Sequence, residues 1–283
     1  MKMRFIILSD SKGKENGINK KILTKLLEET CKLTPNPECI VLCGDNVAGS
    51  SVEKVLAGQL QDLRNVIQKY HYGKPIIPII GNHEVNNKPK DDRYERIFSR
   101  AYSDILPNTY LDGYNKTVFY IDYEDIRFIV LNAYHFEEIN RIINRQLSWF
   151  KEVASTNIKN KIVFIHSPAF PTGAHLGSCL DLYPENRDAF WKIVQDCNID
   201  IIFSGHEHNY SRRKIEYKKD IYQVITGGSG EKLSNKFKDK NGVIVAPIAR
   251  YHFTIVDVAS NGIVVSAFSS KGKLLDKFRI DKF

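Results

Sequence analysis

Short apolar runs of strand length alternate with segments of helical periodicity through the first two-thirds of this chain. The first run covers residues 3–8, and the helix predicted after it, over about 17–30, carries one apolar face. Such alternation is typical of strands connected by helices. The last third lacks it, and its strand-like runs, joined by short turns such as Asn261-Gly262, predict an antiparallel meander.

The remaining elements follow the same two patterns. Ser50 and Glu53 have the spacing of a capping box and open a helix that runs to Tyr70. Pro78 is awkward for a central strand, which weakens the strand predicted there. Other strands are predicted at 39–43, 75–80, 117–123, 126–132, 161–165, 199–203, 221–226, 251–258 and 263–269. Other helices are predicted at about 91–103, 139–155 and 186–197.

These elements predict an α/β fold in which two mixed β-sheets pack as a sandwich with helices on both outer faces, in four α-β-β-α layers. We expect a single domain over residues 1–283, because no internal repeat, low-complexity tract or Pro/Gly/Ser-rich linker divides the chain. A chain of this length can bury a sizeable core without a disulfide or a structural metal.

Composition and the cysteines predict a cytoplasmic protein. The five cysteines are an odd number without zinc-finger spacing, which is typical of reduced, mostly buried thiols. The apolar run at the N-terminus is too short for a signal-peptide core, and no run approaches the roughly 18 residues of a membrane span. We therefore expect neither secretion nor a membrane partner.

The net charge of +8 favours anionic partners only weakly, because the lysines are spread along the chain. The densest basic stretch is Arg212-Arg213-Lys214 with Lys218-Lys219, and Glu216 and Asp220 interrupt it. This stretch predicts either a solvated face or an attraction for phosphate-bearing substrates. No recognised nucleic-acid motif is present, so a nucleic-acid partner is not indicated, and the pattern does not specify an oligomeric state.

Five apolar runs end in a residue that can bind a metal ion. In order, these residues are Asp10, Asp45, Asn82, His166 and the pair His206/His208. In open α/β sheets, ligands sit in the crevice outside the carboxyl ends of the strands. Each residue alone could be a helix cap, a turn residue or part of a hydrogen-bonded loop, but six of them at strand ends predict a metal site. The mixture of oxygen and imidazole donors favours Mn²⁺, Fe or Zn²⁺.

The order Asp…Gly-Asp-Asn…Gly-Asn-His-Glu…His…Gly-His-x-His, from Asp10 to His208, closely resembles the calcineurin-like metallophosphoesterases. Three further segments resemble the purple-acid-phosphatase branch: Gly44-Asp45-Asn46, His208-Asn209-Tyr210-Ser211-Arg212 and Thr226-Gly227-Gly228-Ser229-Gly230. The resemblance implies a metal-dependent hydrolase of phosphoric mono- or diesters, with a phosphate ester as its partner. It also implies a two-sheet sandwich flanked by helices.

The resemblance implies two metal ions with Asp45 as their bridging ligand. Asn82, His166 and His206 would complete one site, and Asp10 and His208 would complete the other. A hydroxide held between the ions would attack phosphorus in line.

Three further residues have implied roles with open alternatives. His83 would face the substrate, either as an electrophile towards the phosphoryl oxygens or as general acid to the leaving oxygen. Glu84 would orient the His83 imidazole, or would be a surface charge that opens the next segment. His175 lies in a loop that could close over phosphate, or it is an ordinary loop histidine.

Lys12 breaks the family pattern. Most of the family has Asp-x-His where this chain has Asp10-Ser11-Lys12, and the purple-acid-phosphatase branch has a tyrosine where this chain has Ala48. An ammonium has three donors and no lone pair, so it cannot ligate. Three interpretations of Lys12 are open. It could point to solvent beside a loosely held metal, or it could replace part of the charge of the ion at Asp10 and His208 and hold a phosphate oxygen. It could also mark a disabled site.

It is therefore open whether the metal site of Asp10 and His208 is occupied, and the class of function is open as well. The alternative to the hydrolase is a catalytically weakened or inactive member of the same fold that acts as a binding scaffold. The positive net charge permits a phosphodiesterase that acts on nucleic acid or cyclic nucleotides, but no motif requires one.

Overall fold

The computed structural model describes residues 2–282, which form two β-sheets and five α-helices. Strands β1 to β14 span Met3–Leu8, Lys12–Glu15, Cys39–Cys43, Ile76–Ile79, Phe119–Tyr123, Ile126–Val130, Asn160–Phe164, Ile201–Ser204, Tyr210–Ile215, Ile221–Thr226, Val243–Ile248, His252–Ala259, Gly262–Ser269 and Leu274–Asp281. Helices α1 to α5 span Lys20–Thr30, Glu53–Tyr70, Arg93–Ala101, Asn144–Ala154 and Pro184–Asp196. A single 3₁₀ turn covers Leu180–Leu182 in this part of the chain.

Both sheets are mixed. The first has the strand order β14-β13-β12-β1-β3-β4, in which β1, β3 and β4 are parallel and α1 and α2 make the crossovers. The second has the order β11-β9-β10-β8-β7-β6-β5, in which β6, β7 and β8 are parallel and α4 and α5 make the crossovers. Because parallel strands need crossovers, each sheet carries its own helices on its outer face.

Aromatic side chains pack between the two sheets. The Phe5 ring of β1 lies 4.8 Å from the Phe128 ring of β6 and 6.1 Å from the Phe164 ring of β7, measured between ring centroids. All three side chains are fully buried. The inner faces of the sheets therefore form the core, and the predicted α-β-β-α sandwich is confirmed.

Three predicted helix starts are wrong, because the helices begin later than predicted. Helix α4 begins at Asn144 rather than near 139, after a turn in which the Arg141 amide donates to the Glu138 carbonyl oxygen at 2.9 Å. Helix α1 begins at Lys20 rather than near 17, since Asn19 caps it by accepting a hydrogen bond from the Ile22 amide at 3.3 Å. The capping box predicted at Ser50 does not form. Ser50 Oγ instead accepts from the amide of Val52, at 3.0 Å, one residue ahead of the helix.

Pro78 lies within β4, and β4 is an outer strand of the first sheet. An outer strand leaves one side without ladder hydrogen bonds, so it tolerates the missing N–H of a proline. The strand predicted there is therefore confirmed.

The last third of the chain divides between the two sheets. Strands β12, β13 and β14 form the predicted antiparallel meander in the first sheet. Strands β9, β10 and β11 are also antiparallel to one another but join the second sheet, where β10 pairs in parallel with β8. The prediction of one meander is therefore wrong for half of these strands.

Two arginines of the basic stretch are buried in β9. Arg212 forms an ion pair with Asp276 at 2.7 Å, and Arg213 forms one with Asp239 at 2.9 Å. Neither guanidinium is part of a solvated face, and neither is free to attract a phosphate. Within residues 2–282, no helix is both long enough and apolar enough to cross a membrane.

Candidate metal centre

The loops that follow five strands converge at one end of the sandwich. Asp10 follows β1, Asp45 follows β3 and Asn82 follows β4, so the first sheet supplies three of the predicted ligands. His166 follows β7, and both His206 and His208 follow β8 of the second sheet.

The backbone at this end of the sandwich is strained. Asp10, Asp45, His206 and His208 have φ angles of 59°, 51°, 70° and 51°, in the left-handed region that non-glycine residues rarely adopt. Such conformations cost on the order of 1 kcal/mol each and cluster at functional sites.

The side chains form two groups that share Asp45. Ligand atoms of Asp45, His166 and His206 all lie within 4.8 Å of one another, and we call this group, with Asn82, the inner cluster. Ligand atoms of Asp10, Asp45 and His208 meet the same limit, and we call this group the outer cluster. The structure thus brings together five of the residues that the family resemblance assigns to two metal ions, and Asn82 follows β4 at the same end of the sandwich.

The inner cluster has buried polar atoms that no protein group satisfies. His166 Nδ1–H donates to the Cys43 carbonyl oxygen at 2.7 Å, and its Nε2, the nitrogen left to bind an ion, lies 3.4 Å from Asp45 Oδ1. In the part of the chain that the structure describes, His166 Nε2, His206 Nδ1 and Asn82 Oδ1 have no hydrogen-bond partner. An imidazole oriented by a carbonyl and beside a carboxylate is the usual arrangement of a metal ligand. The inner cluster therefore fits a metal ion.

Burial and charge set the protonation of these ligands. Although burial opposes it, the carboxylates of Asp45 and Asp10 raise the pKa of His166 to about 9. Burial lowers the pKa of His206 well below its usual value, helped by the nearby His166 and His175. Against its burial, Asp45 has a pKa held well below the usual range by His166 and Lys12. A metal ion would displace the proton from His166, since only the neutral imidazole binds metal.

A lysine side chain contacts the outer cluster. Lys12 Nζ lies 2.6 Å from Asp45 Oδ2 and 3.4 Å from His208 Nε2, and the residue is only 5% exposed. Burial alone would lower the pKa of Lys12, but Asp45 and Asp10 outweigh it and raise that pKa. The interpretation in which Lys12 points to solvent is therefore wrong, because its ammonium pairs with a buried carboxylate.

His83 is positioned by backbone groups. Its Nδ1–H donates to the Ala48 carbonyl oxygen at 2.9 Å, and its amide donates to Asp45 Oδ1 at 2.9 Å. Its Nε2 lies 3.8 Å from Asp45 Oδ2. The side chain lines a groove of about 620 Å³ together with Lys12, Glu231 and Tyr251. Since Nδ1 is engaged, Nε2 is the nitrogen that can act on a ligand in this groove.

Glu84 does not orient His83, and it is not a surface charge. It is fully buried, and its carboxylate accepts four backbone hydrogen bonds, from Gly81, Asp45, Asn46 and Val47. Desolvation, with repulsion from Asp45, raises the pKa of Glu84. The role expected for it fails because the Ala48 carbonyl already holds the imidazole, while Glu84 binds the loop that carries Asp45.

His175 reaches the centre, and Glu207 holds it there. The His175 ring lies 4.3 Å from the His206 ring and 5.4 Å from the His208 ring, between centroids. Buried Glu207 accepts hydrogen bonds from the amides of Gly173, at 2.9 Å, and His175, at 3.0 Å. Glu207 was not predicted as a site residue, although an acidic residue between two candidate ligands should point away from them and bind the neighbouring loop.

Ser9 and Gly205 allow the ends of the two sheets to approach closely. Ser9 Oγ donates to Asp10 Oδ2 at 2.7 Å. A Cβ at Gly205 would lie 2.1 Å from Ser9 Oγ and 2.5 Å from Asp10 Oδ2. Only glycine fits between the end of β8 and this carboxylate, and neither residue was predicted to be part of the site.

A model of the calcineurin-like phosphoesterase family matches residues 3–210, which is most of the chain and includes every residue of both clusters. The chain belongs to this family. It is therefore a phosphoesterase, of a family whose members use divalent metal ions.

Two curated relatives have low sequence identity to this chain. Human serine/threonine-protein phosphatase CPPED1 is 23% identical over 274 residues, covering 90% of this chain and 79% of the relative. Purple acid phosphatase 21 of Arabidopsis thaliana is 25% identical over 179 residues, covering 58% of this chain and 39% of the relative.

Solved structures share the fold. Purple acid phosphatase PPD1 from seeds of yellow lupin, Lupinus luteus, superposes with a TM-score of 0.76 at 16% identity. The alignment covers 99% of this chain and 53% of the lupin protein, so this chain spans about half its length. The structure of PhoD superposes with a TM-score of 0.73 at 11% identity, covering 99% of this chain and 70% of PhoD.

Proposed function

We propose that this protein hydrolyses phosphoric mono- or diesters with a metal ion held by Asp45, Asn82, His166 and His206. The observation that carries the proposal is the inner cluster, in which ligand atoms of Asp45, His166 and His206 converge within 4.8 Å beside buried polar atoms that lack partners. Mn²⁺, Fe and Zn²⁺ suit this donor set. When bound, the metal would polarise the phosphoryl group and lower the pKa of a water molecule.

The family resemblance implies a second ion held by Asp10, Asp45 and His208. The donor set supports such a site, since two carboxylates and an imidazole come within 4.8 Å of one another. The ammonium of Lys12 competes for it, because it already contacts Asp45 and His208.

His83 is the proposed catalytic residue. With Nδ1–H bonded to Ala48, its Nε2 faces the groove and can hydrogen-bond a phosphoryl oxygen or give a proton to the leaving oxygen. Glu84 supports catalysis only indirectly, because it binds the amides of the loop that carries Asp45.

Lys12 and His175 are the proposed substrate-binding residues. Two of the three Lys12 N–H donors are directed at Asp45 and His208, which leaves one for a phosphoryl oxygen. His175 lies beside His206 and His208 and can contact the same ligand.

A phosphorylated protein is a substrate that the relatives suggest, since one of them is named a serine/threonine-protein phosphatase. The open groove beside His83 supports an extended substrate, because it extends from His83 to Glu231 and Tyr251. A cytoplasmic location stays a prediction, supported by the five cysteines, all of which are free thiols.

One observation favours a second candidate, a binding scaffold without turnover. The ion pair between Lys12 and Asp45 neutralises the carboxylate that family resemblance assigns as the bridging ligand. The two candidates differ in turnover, which a single assay measures.

The test is hydrolysis by purified protein supplied with Mn²⁺, Fe²⁺ or Zn²⁺. We expect turnover of p-nitrophenyl phosphate, bis(p-nitrophenyl) phosphate or a phosphoserine peptide. His83→Ala should lower kcat by roughly 10²–10⁴-fold, which is what general acid–base groups contribute. Asp45→Asn should abolish activity, because an amide is a poorer ligand than a carboxylate.

The matched control is Asp104→Asn, which makes the same change at a mostly exposed carboxylate outside the site. It should retain wild-type activity. Unchanged activity in Asp45→Asn would refute the mechanism, whereas absence of turnover with every metal and ester would favour the scaffold.

A further inference from the structure

The Lys12 ammonium contacts side chains that would bind one of the two expected metal ions. It lies 2.6 Å from Asp45 Oδ2 and 3.4 Å from His208 Nε2, which are two of the three side chains in the outer cluster. The third, Asp10, accepts instead from the His206 amide at 3.0 Å and from Ser9 Oγ at 2.7 Å. Every outer ligand is thus engaged by a group of this chain.

The Lys12 backbone is fixed to the loop that carries Asp45. Its amide donates to the Asp45 carbonyl oxygen at 3.2 Å. The preceding Ser11 Oγ donates to the Asn46 carbonyl oxygen at 2.8 Å, and the Ser11 carbonyl accepts from the Asn19 amide at 2.8 Å. The side chain therefore starts from a rigid position and is directed into the centre rather than across the surface.

An ammonium and a metal ion exclude one another at these atoms. A metal ion needs the lone pairs of Asp45 Oδ2 and His208 Nε2, and the ammonium uses the same lone pairs as hydrogen-bond acceptors. A second metal ion at these atoms would also take the position of the ammonium, and two cations in contact repel each other inside a buried site, where charges are poorly screened. In the inner cluster the hydrogen bonds of Lys12 involve only Asp45 Oδ2, and they do not reach His166, which faces Asp45 Oδ1, or Asn82.

We propose that Lys12 is a built-in cation that replaces one metal ion, so that this enzyme binds a single ion, at the inner cluster. The ammonium supplies positive charge beside Asp10 and Asp45, and its third N–H supplies a fixed donor for the substrate. This inference rests on the proposed function, since it specifies how that centre is completed. The outer cluster consequently departs from the two-ion arrangement that the resemblance implies.

The test is the metal content of the full chain after loading with excess Mn²⁺ and desalting, measured by elemental analysis and by electron paramagnetic resonance. We expect one Mn²⁺ per wild-type chain, with the six-line spectrum of an isolated ion. Lys12→His supplies the ligand that most of the family has at this position and should bind two ions with an exchange-coupled spectrum.

Two further variants keep the test decisive. Lys12→Met removes the ammonium at similar side-chain length and should also gain a second, weaker ion, so it serves if Lys12→His fails to fold. Lys14→Met removes an exposed lysine from the same strand and should keep one ion.

The outcomes separate this inference from the proposed function. Two ions per wild-type chain in an active enzyme would overturn only the inference. One ion in the wild type and in both Lys12 variants would also overturn it, because missing ligands rather than Lys12 would then exclude the second ion. No ion in the wild type, with no turnover, would overturn both.

Discussion

Two buried histidines in this protein are held in opposite protonation states by their neighbours. His166 faces the carboxylates of Asp45 and Asp10, which outweigh its burial and raise its pKa to about 9. His252 is equally buried, but its ring hydrogen-bonds only uncharged groups. Its Nδ1–H donates to the Arg250 carbonyl oxygen at 2.8 Å, and its Nε2 lies 3.1 Å from Thr226 Oγ1. Desolvation therefore lowers the pKa of His252 to about 4.

The low pKa of His252 predicts an acid-labile contribution to stability. The unfolded chain binds this proton near pH 6.5 and the folded chain near 4, so the contribution is complete above pH 6.5 and is lost as the pH falls towards 4. Between pH 7.5 and 5.0, this histidine should cost the wild type about 2 kcal/mol of unfolding free energy.

Urea unfolding of the wild type and of His252→Gln at both pH values measures this cost. The variant cannot titrate at position 252, so its loss between the two pH values should be smaller by that amount. Equal losses in the two proteins would contradict the assigned environment of His252.

Most residues of the site could be identified from the sequence, because strand-end position and side-chain chemistry are both visible there. Asp10, Asp45, His166, His206 and His208 converge as the pattern indicates. The direction of a side chain within a loop is not visible. The sequence therefore left the direction of Lys12 open.

At the scale of elements, the site depends on how loops after neighbouring strands are tied together. Glu84, after β4, accepts the amides of Asp45, Asn46 and Val47, after β3, as well as the amide of Gly81. One carboxylate thus fixes two loops of the first sheet. This tie keeps Asp45 in its left-handed conformation.

Glu84→Gln should loosen both loops with little change in volume. An amide has one acceptor oxygen in place of two, and its NH₂ group would face backbone donors, so at least one buried N–H loses its partner. Such a loss costs about 1–3 kcal/mol. We expect a corresponding drop in unfolding free energy and weaker Mn²⁺ binding, measured by urea denaturation and by metal titration.

The matched control is Glu38→Gln, at an exposed carboxylate before β3. It should change neither the unfolding free energy nor the metal affinity. If Glu84→Gln behaved in the same way, the four hydrogen bonds would not support the metal centre.

Strands with buried apolar runs could be predicted, and strands with polar sequences could not. Strand β9 contains Arg212 and Arg213, for which the sequence predicted a solvated face or an attraction for phosphate, because their aspartate partners are distant in the chain. Strands β11 and β14 are outer strands of the two sheets and are partly exposed, so their hydrophobic patterns are weak. Their pairing is determined by tertiary contacts rather than by local propensity.

At the scale of the whole molecule, the metal centre joins the two sheets. The first sheet supplies Asp10, Asp45 and Asn82, and the second supplies His166, His206 and His208. In the core, the packing of Phe5 against Phe128 and Phe164 fixes the two sheets relative to one another. A rigid sandwich therefore holds ligands from distant parts of the sequence at the spacing that an ion requires.

The most direct test of this account is a crystal structure of the protein soaked in Mn²⁺, with anomalous difference density used to locate the ion. We expect one strong peak at coordination distance from ligand atoms of Asp45, His166 and His206, with Asn82 beside it. The Lys12 ammonium should remain between Asp45 and His208. Absence of a peak at the inner cluster, at Mn²⁺ concentrations that support turnover, would contradict the account.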